Sequence, residues 1–298
     1  MTIYTQQAAN VRRTWLLMTV FLVVVVALGW AISYAYNSPA ILYVAIIFSL
    51  VMNFASYWWS DKIALSIAGA RPATREEFFD LYTVTENLAI TAGLPKPKIY
   101  IIPDPAPNAF ATGRNQEHAT VAVTTGLLQL LDRSELEGVI AHELSHIQNR
   151  DILLSTVVVV LAGFIAILSD LFLRSRLWGW GGRRGDREGE GNAILMLAGI
   201  VLAILAPLAA TLIQLAISRR REFLADASGA LLTRYPEGLA SALEKIEHYN
   251  SQPLRRASNA TAHLYISNPF GARAASGLAK LFMTHPPTAE RIKILREM

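Results

Sequence analysis

Four stretches without a charged side chain, residues 15–36, 41–59, 152–169 and 193–217, constrain this chain more than any other feature. As helices rising ~1.5 Å per residue, each can cross, or nearly cross, a hydrocarbon core ~30 Å thick. A chain of 298 residues that is 53% hydrophobic and 17% charged is too apolar for one ordinary soluble domain. The class to expect is therefore an α-helical multi-pass membrane protein.

Arg12 and Arg13 precede the first run, and Ser33-Tyr-Ala35 loosely resembles a signal-peptide cleavage site. The run is longer than a usual signal core and a second follows at once, which favours an uncleaved anchor. Asn37, Ser38 and Pro39 make a short turn between the two runs, so residues 1–60 read as a transmembrane hairpin. Lys62, Arg71 and Arg75 follow it, and by the positive-inside rule both ends face the cytoplasm. The net charge of +4 is modest and its basic residues flank apolar runs, which argues against nucleic-acid binding. Cysteine is absent, so thiol catalysis, disulfides and cysteine-ligated zinc are excluded.

Residues 61–151 change character and read as the first part of a soluble α+β segment. Residues 74–92 have helical spacing, with Phe78, Leu81, Tyr82, Thr85, Leu88 and Ala89 as the inner face, and Pro95 and Pro97 as the stop. Residues 98–102 and 120–124 are β-branched runs bounded by Pro and Gly, the pattern of strands, and Asn108-Ala-Phe-Ala-Thr-Gly113 adds an exposed edge strand. Ser134-Glu-Leu-Glu137 reads as a capping box that starts another helix. Residues 152–218 form a second hairpin around a Gly/Arg-rich loop at 173–192, and 219–298 return as a mostly helical second part of the soluble segment.

The helix opened by that capping box carries His142-Glu-Leu-Ser-His146. Imidazoles at i and i+4 share one helix face about 6 Å apart, so both can reach one metal. Glu143 then sits at the metal's open side, where it can take a proton from water. Leu136, Ile140, Leu144 and Ile147 make an apolar stripe opposite the histidines, predicting one face in a core and one on a cleft. This helix is expected to run on into the third apolar stretch.

Catalytic zinc usually takes three protein ligands and a water, so one ligand is missing. The extended pattern with Gly at 149 and His at 152 is ruled out, since Asn149 and Ile152 stand there. His146 lies six residues before the third run and Glu222 five residues after the fourth. If those runs are antiparallel neighbours, both sit about 8 Å above the same membrane face. Asp226, one turn on, is placed to accept the second ring N–H of a ligand histidine. The competing reading is an acidic pair that screens Arg219, Arg220 and Arg221. His118, His248 and His263 have no spaced partner and read as surface or satisfied polar residues. His285 precedes Pro286-Pro287 and a short helix bearing Arg291; whether these two reach the cleft, as donors to an oxyanion, is left open by the residues alone.

Four motifs, Asn108-Ala-Phe-Ala-Thr-Gly113, His142-Glu-Leu-Ser-His-Ile-Gln-Asn-Arg-Asp151, Arg221-Glu-Phe-Leu-Ala-Asp226 and His285-Pro-Pro-Thr-Ala-Glu-Arg291, together with the four apolar spans, resemble the HtpX family of bacterial membrane zinc metalloproteases. More distantly the chain is similar to eukaryotic CAAX prenyl proteases. The resemblance implies an α+β, mostly helical, zincin-like (gluzincin) catalytic domain. It implies one zinc per chain on His142, His146 and Glu222, with Glu143 as general base and acid. Asp226 would stand behind the ligands, residues Asn108, Ala109, Phe110 and Ala111 would contact substrate backbone, and His285 and Arg291 would assist in the transition state. It further implies quality control of damaged membrane proteins, at the bacterial cytoplasmic membrane, with the active site facing the cytoplasm.

Endoproteolysis of protein or peptide substrates is thus the leading expectation, with substrate extended along residues 108–111 by β-addition. Its rivals are a processing peptidase for a modified C-terminus and a non-catalytic scaffold. A zinc transporter fits less well, because the ligands lie outside the spans. Arg174, Arg176, Arg183, Arg184 and Arg187 sit badly in a loop that two full crossings would put outside, which suggests that the second hairpin is only partly inserted.

Overall fold

Asn37, in a left-handed backbone conformation at φ 48°, turns the chain back between its first two apolar helices. Pro39 then opens the second at a position where its missing N–H costs nothing. The structure, a computed structural model, describes residues 3–177, Val201, Leu205, 218–249, 253–256, 261–270 and 286–298. These first helices are α1 (Ile3–Ala35) and α2 (Pro39–Trp58), and they pack on each other as the predicted hairpin.

After α3 (Ser60–Ala68) the chain forms β1 (Arg71–Pro72), α4 (Phe79–Thr91), β2 (Lys98–Ile102), β3 (Ala109–Gly113), β4 (Ala119–Thr124) and α5 (Thr125–Leu130). Helix α4 begins five residues later than its periodicity suggested, because residues 75–78 form a turn. Its inner face is as expected, with Leu81, Thr85, Leu88 and Ala89 buried. The sheet order is β1-β2-β4-β3, with β2 and β4 parallel and the other pairs antiparallel. Strand β3 is an edge as predicted, but it is not exposed. All five of its residues are buried, and the Ile266 N–H donates to the Ala109 carbonyl on its outer side.

Helix α6 (Arg133–Gln148) starts from a different capping box than the one expected. The Asp132 side chain accepts from the Glu135 N–H and Glu135 accepts in return from the Asp132 N–H, so the helix starts two residues earlier than Ser134 would have set it. Nor does α6 run on into the third apolar stretch. Asn149 caps it, Arg150 turns left-handed at φ 57°, and α7 (Asp151–Leu177) leaves at 84° to it. Asp151 therefore stands at a helix start.

Helices α8 (Arg219–Thr233), α9 (Pro236–Tyr249) and α10 (Thr288–Arg296) complete the described chain. Helix α8 lies close on α6 because Gly229 has no Cβ; one built there would meet the His142 backbone nitrogen at 3.0 Å. One core joins α4, the sheet, α6, α9 and the end of α10, through residues such as Leu81, Val121, Ile140, Leu243 and Leu295. A second joins α1 and α7 through Leu17, Phe21, Leu154, Val158 and Leu161, with Leu205.

Among the described residues two helices are long and apolar enough to cross a membrane, Gln7–Tyr34 within α1 and all of α2; α6 and α7 would add a third if that bent pair were one broken span. The first half of α7, at the start of the third run, is largely covered by protein, with Ile152, Leu154, Val157 and Leu161 all buried. Apart from Val201 and Leu205, the fourth run lies outside the described residues, as does the loop from 178 onward. Residues 173–177, expected to begin that loop, continue α7.

Candidate metal centre

The i, i+4 spacing on α6 does what it should, since the two imidazoles stand edge to face with ring centroids 4.7 Å apart. Their Nε2 atoms are 3.2 Å apart. From α8, Glu222 brings Oε2 to 3.8 Å of His142 Nε2 and Oε1 to 3.7 Å of His146 Nε2. His142, His146 and Glu222 are the one group of three such side chains, among the described residues, able to hold a metal ion.

The remaining ring nitrogens face carboxylates. His142 Nδ1 lies 2.9 Å from Asp226 Oδ1, and His146 Nδ1 lies 3.1 Å from Asp151 Oδ2. A carboxylate at Nδ1 favours the proton there and leaves the lone pair on Nε2. Two lone pairs facing each other at 3.2 Å in a buried site repel unless a cation stands between them. Tetrahedral coordination at ~2.0–2.1 Å separates neighbouring donors by about 3.3–3.4 Å; the two nitrogens are 3.2 Å apart, and each has a different Glu222 oxygen somewhat farther off, at 3.8 and 3.7 Å. The residues present therefore fit a metal.

Charge points the same way. Burial works against the His146 imidazolium, but the Asp151 bond and the charges of Glu222, Asp151 and Glu143 prevail and raise its pKa to about 9. That surplus of negative charge favours a metal cation in the proton's place. Burial would also raise the Asp226 carboxyl, yet Arg291 and His142 hold it well below the usual carboxylate range. Glu143 is raised by burial and by the Glu222 charge, against the opposing pull of His142 and His146. It accepts the Ala111 N–H, which ties β3 to the side chain next to the ligands.

The expectation of one apolar and one open face on α6 needs correcting. His142 is fully buried and Glu143 is 2% exposed, because α8 and β3 cover the histidine side of the helix. Arg291, at 2% exposure, is buried too. Its Nε and Nη2 donate to the two Asp226 oxygens at 2.8 and 2.7 Å, and its Nη1 to the Ile266 carbonyl at 3.1 Å. Arg291 is thus committed to Asp226, where the sequence left open a place facing the cleft. His285 lies outside the described residues.

Asn108 sits at the head of β3. Its side-chain amide brackets the Ser267 backbone, donating to the carbonyl at 3.1 Å and accepting the N–H at 3.3 Å. Ala109 and Ala111 line the outer edge of β3, whereas the Phe110 ring meets Tyr265 edge-on at 5.2 Å. Among the other histidines, His118 contacts Asn115 and His248 the Glu244 carbonyl, as satisfied polar groups. His263 is buried, with Nε2 at 3.0 Å from the Ser155 carbonyl.

Sequence reasoning assigned no role to Asp151. A signal was present: Asn149-Arg150-Asp151 is a polar break immediately before an apolar helix, where an aspartate is the usual starting residue. Reading α6 and α7 as continuous hid it.

Residues 75–298 match peptidase family M48. The chain is 51% identical over its whole length, and 98% of the other's, to a protein named protease HtpX homolog from Caldanaerobacter subterraneus, and 52% identical with the same coverage to the one from Thermoanaerobacter pseudethanolicus. The HtpX homolog of Streptococcus gordonii is 47% identical over 99% of this chain and all of its own. Among solved structures, Ste24p of S. mikatae shares the fold with a TM-score of 0.50 at 20% identity, over 94% of this chain; the chain spans 62% of that longer protein. Through the M48 match and these full-length relatives, the chain belongs to peptidase family M48, among the HtpX proteases.

Proposed function

We propose that the chain is a zinc-dependent, membrane-bound endopeptidase with a gluzincin-type site. Convergence of His142, His146 and Glu222 beside Glu143, in a chain of this family, is the observation that carries the reading. The two-histidine, one-carboxylate set suits zinc, which when bound acts as a Lewis acid toward a water and a peptide carbonyl. Glu143 takes the proton from that water and returns it to the leaving nitrogen. Asp226 and Asp151 hold the two rings by their Nδ1 sides, and Arg291 acts through Asp226 by fixing its carboxylate. His285 remains the proposed transition-state donor.

Residues Asn108, Ala109, Phe110 and Ala111 are proposed as the substrate rail. A peptide joining this edge has to displace the Ile266 N–H from the Ala109 carbonyl, so the segment around 266 moves or is bypassed when substrate enters. The catalytic unit is inferred to comprise 61–151 and 219–298, with 1–60 and 152–218 as membrane hairpins in the lipid bilayer. Basic residues flanking the first hairpin support a cytoplasmic active site at the bacterial inner membrane. Substrates are proposed to be misfolded or damaged membrane proteins.

The test is Glu143→Gln in purified full-length protein. Metal content stays at one equivalent while cleavage of an unfolded membrane protein falls by about 10²–10⁴-fold. Undiminished cleavage rejects the role of Glu143. Cleavage confined to a peptide with a modified C-terminus shifts the reading to a processing peptidase.

A further inference from the structure

The metal ligands all come from α6 and α8, yet the shell behind them reaches into the membrane anchor. On α1, Asn10 is completely buried. Its Nδ2 donates to Asp151 Oδ1 at 2.5 Å and to the Asn149 carbonyl at 3.1 Å. The other Asp151 oxygen, Oδ2, is the one at His146 Nδ1. A chain of contacts thus runs from α1 through Asp151 to a ligand ring. Arg221 Nε, 3.4 Å from Oδ1, is the second group on the α1 side of that carboxylate.

We infer that Asn10 is a positioning residue of the metal centre: by holding Asp151 Oδ1 it keeps Oδ2 aimed at His146 Nδ1, so the N-terminal anchor helix sets the orientation of a metal ligand. The inference rests on the metal-centre reading above.

Two physical points carry it. A carboxylate in the first turn of a helix is drawn toward the free N–H groups at the positive end of that helix. In α7 that competing use would take Asp151 away from His146, and a fixed donor on Oδ1 removes the choice. Moreover, a buried donor is costly unless it is used, and Asn10 directs both bonds of its Nδ2 to the break between α6 and α7, while its Oδ1 accepts none. Gln7 bonds the same helix end through the Gln148 carbonyl at 2.6 Å without touching Asp151. It provides a control for docking of α1 alone.

The experiment measures metal affinity of the full-length protein in detergent, by competition with a chromophoric chelator, and the visible absorption of its Co²⁺ form. Removing a partner behind a ligand typically weakens metal binding about 10–100-fold, and Asn10→Leu, one bond further out, is expected near the lower end, about tenfold, with a changed Co²⁺ spectrum. Gln7→Ala leaves both at the wild-type value. Asn10→Leu added to Asp151→Asn weakens binding no further than Asp151→Asn alone, since Asn10 acts through that carboxylate. Should Asn10→Leu not fold, Asn10→Ala is read in the same way on its folded fraction. Wild-type affinity and spectrum in the Asn10 variant, or a loss that adds in full to that of Asp151→Asn, overturns the inference and leaves Asn10 as a docking contact. Absence of metal binding by the wild type overturns the metal-centre reading itself, and this inference with it.

Discussion

Where α6, α8 and α10 meet, a set of ionisable side chains lies inside: His142, Glu143, Asp151, Asp226 and Arg291 are all nearly or fully buried. In the α1–α2 hairpin the large apolar side chains are outside, with Tyr43, Val44 and Ile47 each more than 60% exposed. The first arrangement is stable only if every charge is partnered, because an unpaired buried charge costs several kcal/mol. The second is stable only if the surrounding solvent is itself apolar. One chain therefore carries two solutions to burial, and polarity is sorted by partner in one and by medium in the other.

The sharpest way to break the first solution is Arg291→Met. Met approximates the volume of the Arg stem but leaves Asp226 without its two guanidinium bonds, and loss of one partner of a buried pair costs about 3–5 kcal/mol. Chemical unfolding should show that loss, and metal affinity should fall with it, because Asp226 no longer holds His142 in a fixed orientation.

For the hairpin the corresponding break is Ile47→Arg. On an ordinary protein surface, an arginine at a position 62% exposed would be harmless. In lipid, near the middle of α2, it costs about 2.5–3.5 kcal/mol of insertion free energy. A glycosylation-based insertion assay reads the difference directly. Unchanged insertion would mean that α2 is covered by protein instead of bilayer.

His263 sharpens the comparison where the two regions meet, since its ring bonds the Ser155 carbonyl of α7. Burial, with a contribution from Arg221, lowers its pKa from 6.5 to about 4 despite the Ser155 bond. The folded state keeps the ring neutral while the unfolded chain takes up a proton below pH 6.5, so the associated stability is complete above 6.5 and is lost as pH falls toward 4. Between pH 7 and pH 5 this amounts to roughly 2 kcal/mol. Gln at 263 can keep the donor to Ser155 without titrating. Its pH dependence of unfolding should be shallower than that of the wild type by that amount, and parallel curves would refute the assignment.

Legibility followed the range of each interaction. The histidine pair, the strands at 98–102 and 120–124 and the inner face of α4 are set by local spacing, and the structure has them where the spacing put them. Glu222 was proposed by counting residues outward from two apolar runs, and the structure brings it to the histidine pair from 76 positions beyond His146. What escaped depended on a bend or on a distant cover. The 84° turn at Asn149-Arg150 is what brings Asp151 back to His146, and an unbroken helix would have carried it away. Strand β3 reads as exposed because nothing near it in sequence hides it; Ile266, more than 150 residues on, does.

The smallest effect belongs to Arg296, and it isolates burial as the variable. Arg296 lies on the same helix as Arg291 and makes contacts of the same chemistry: Nη2 reaches Glu237 at 2.9 Å and Glu244 at 2.8 Å, and Nε reaches both Glu237 oxygens. Those glutamates raise its pKa, as Asp226 raises that of Arg291. The side chain is nevertheless 43% exposed, so water solvates both charges whether or not they meet, and ordering the long side chains offsets most of the attraction. Arg296→Met should therefore leave the unfolding midpoint within the scatter of replicates and metal affinity unchanged, and the little that is lost should vanish in high salt. A loss approaching that of Arg291→Met would show that pairing alone, and not burial of the pair, holds α10 against its neighbours.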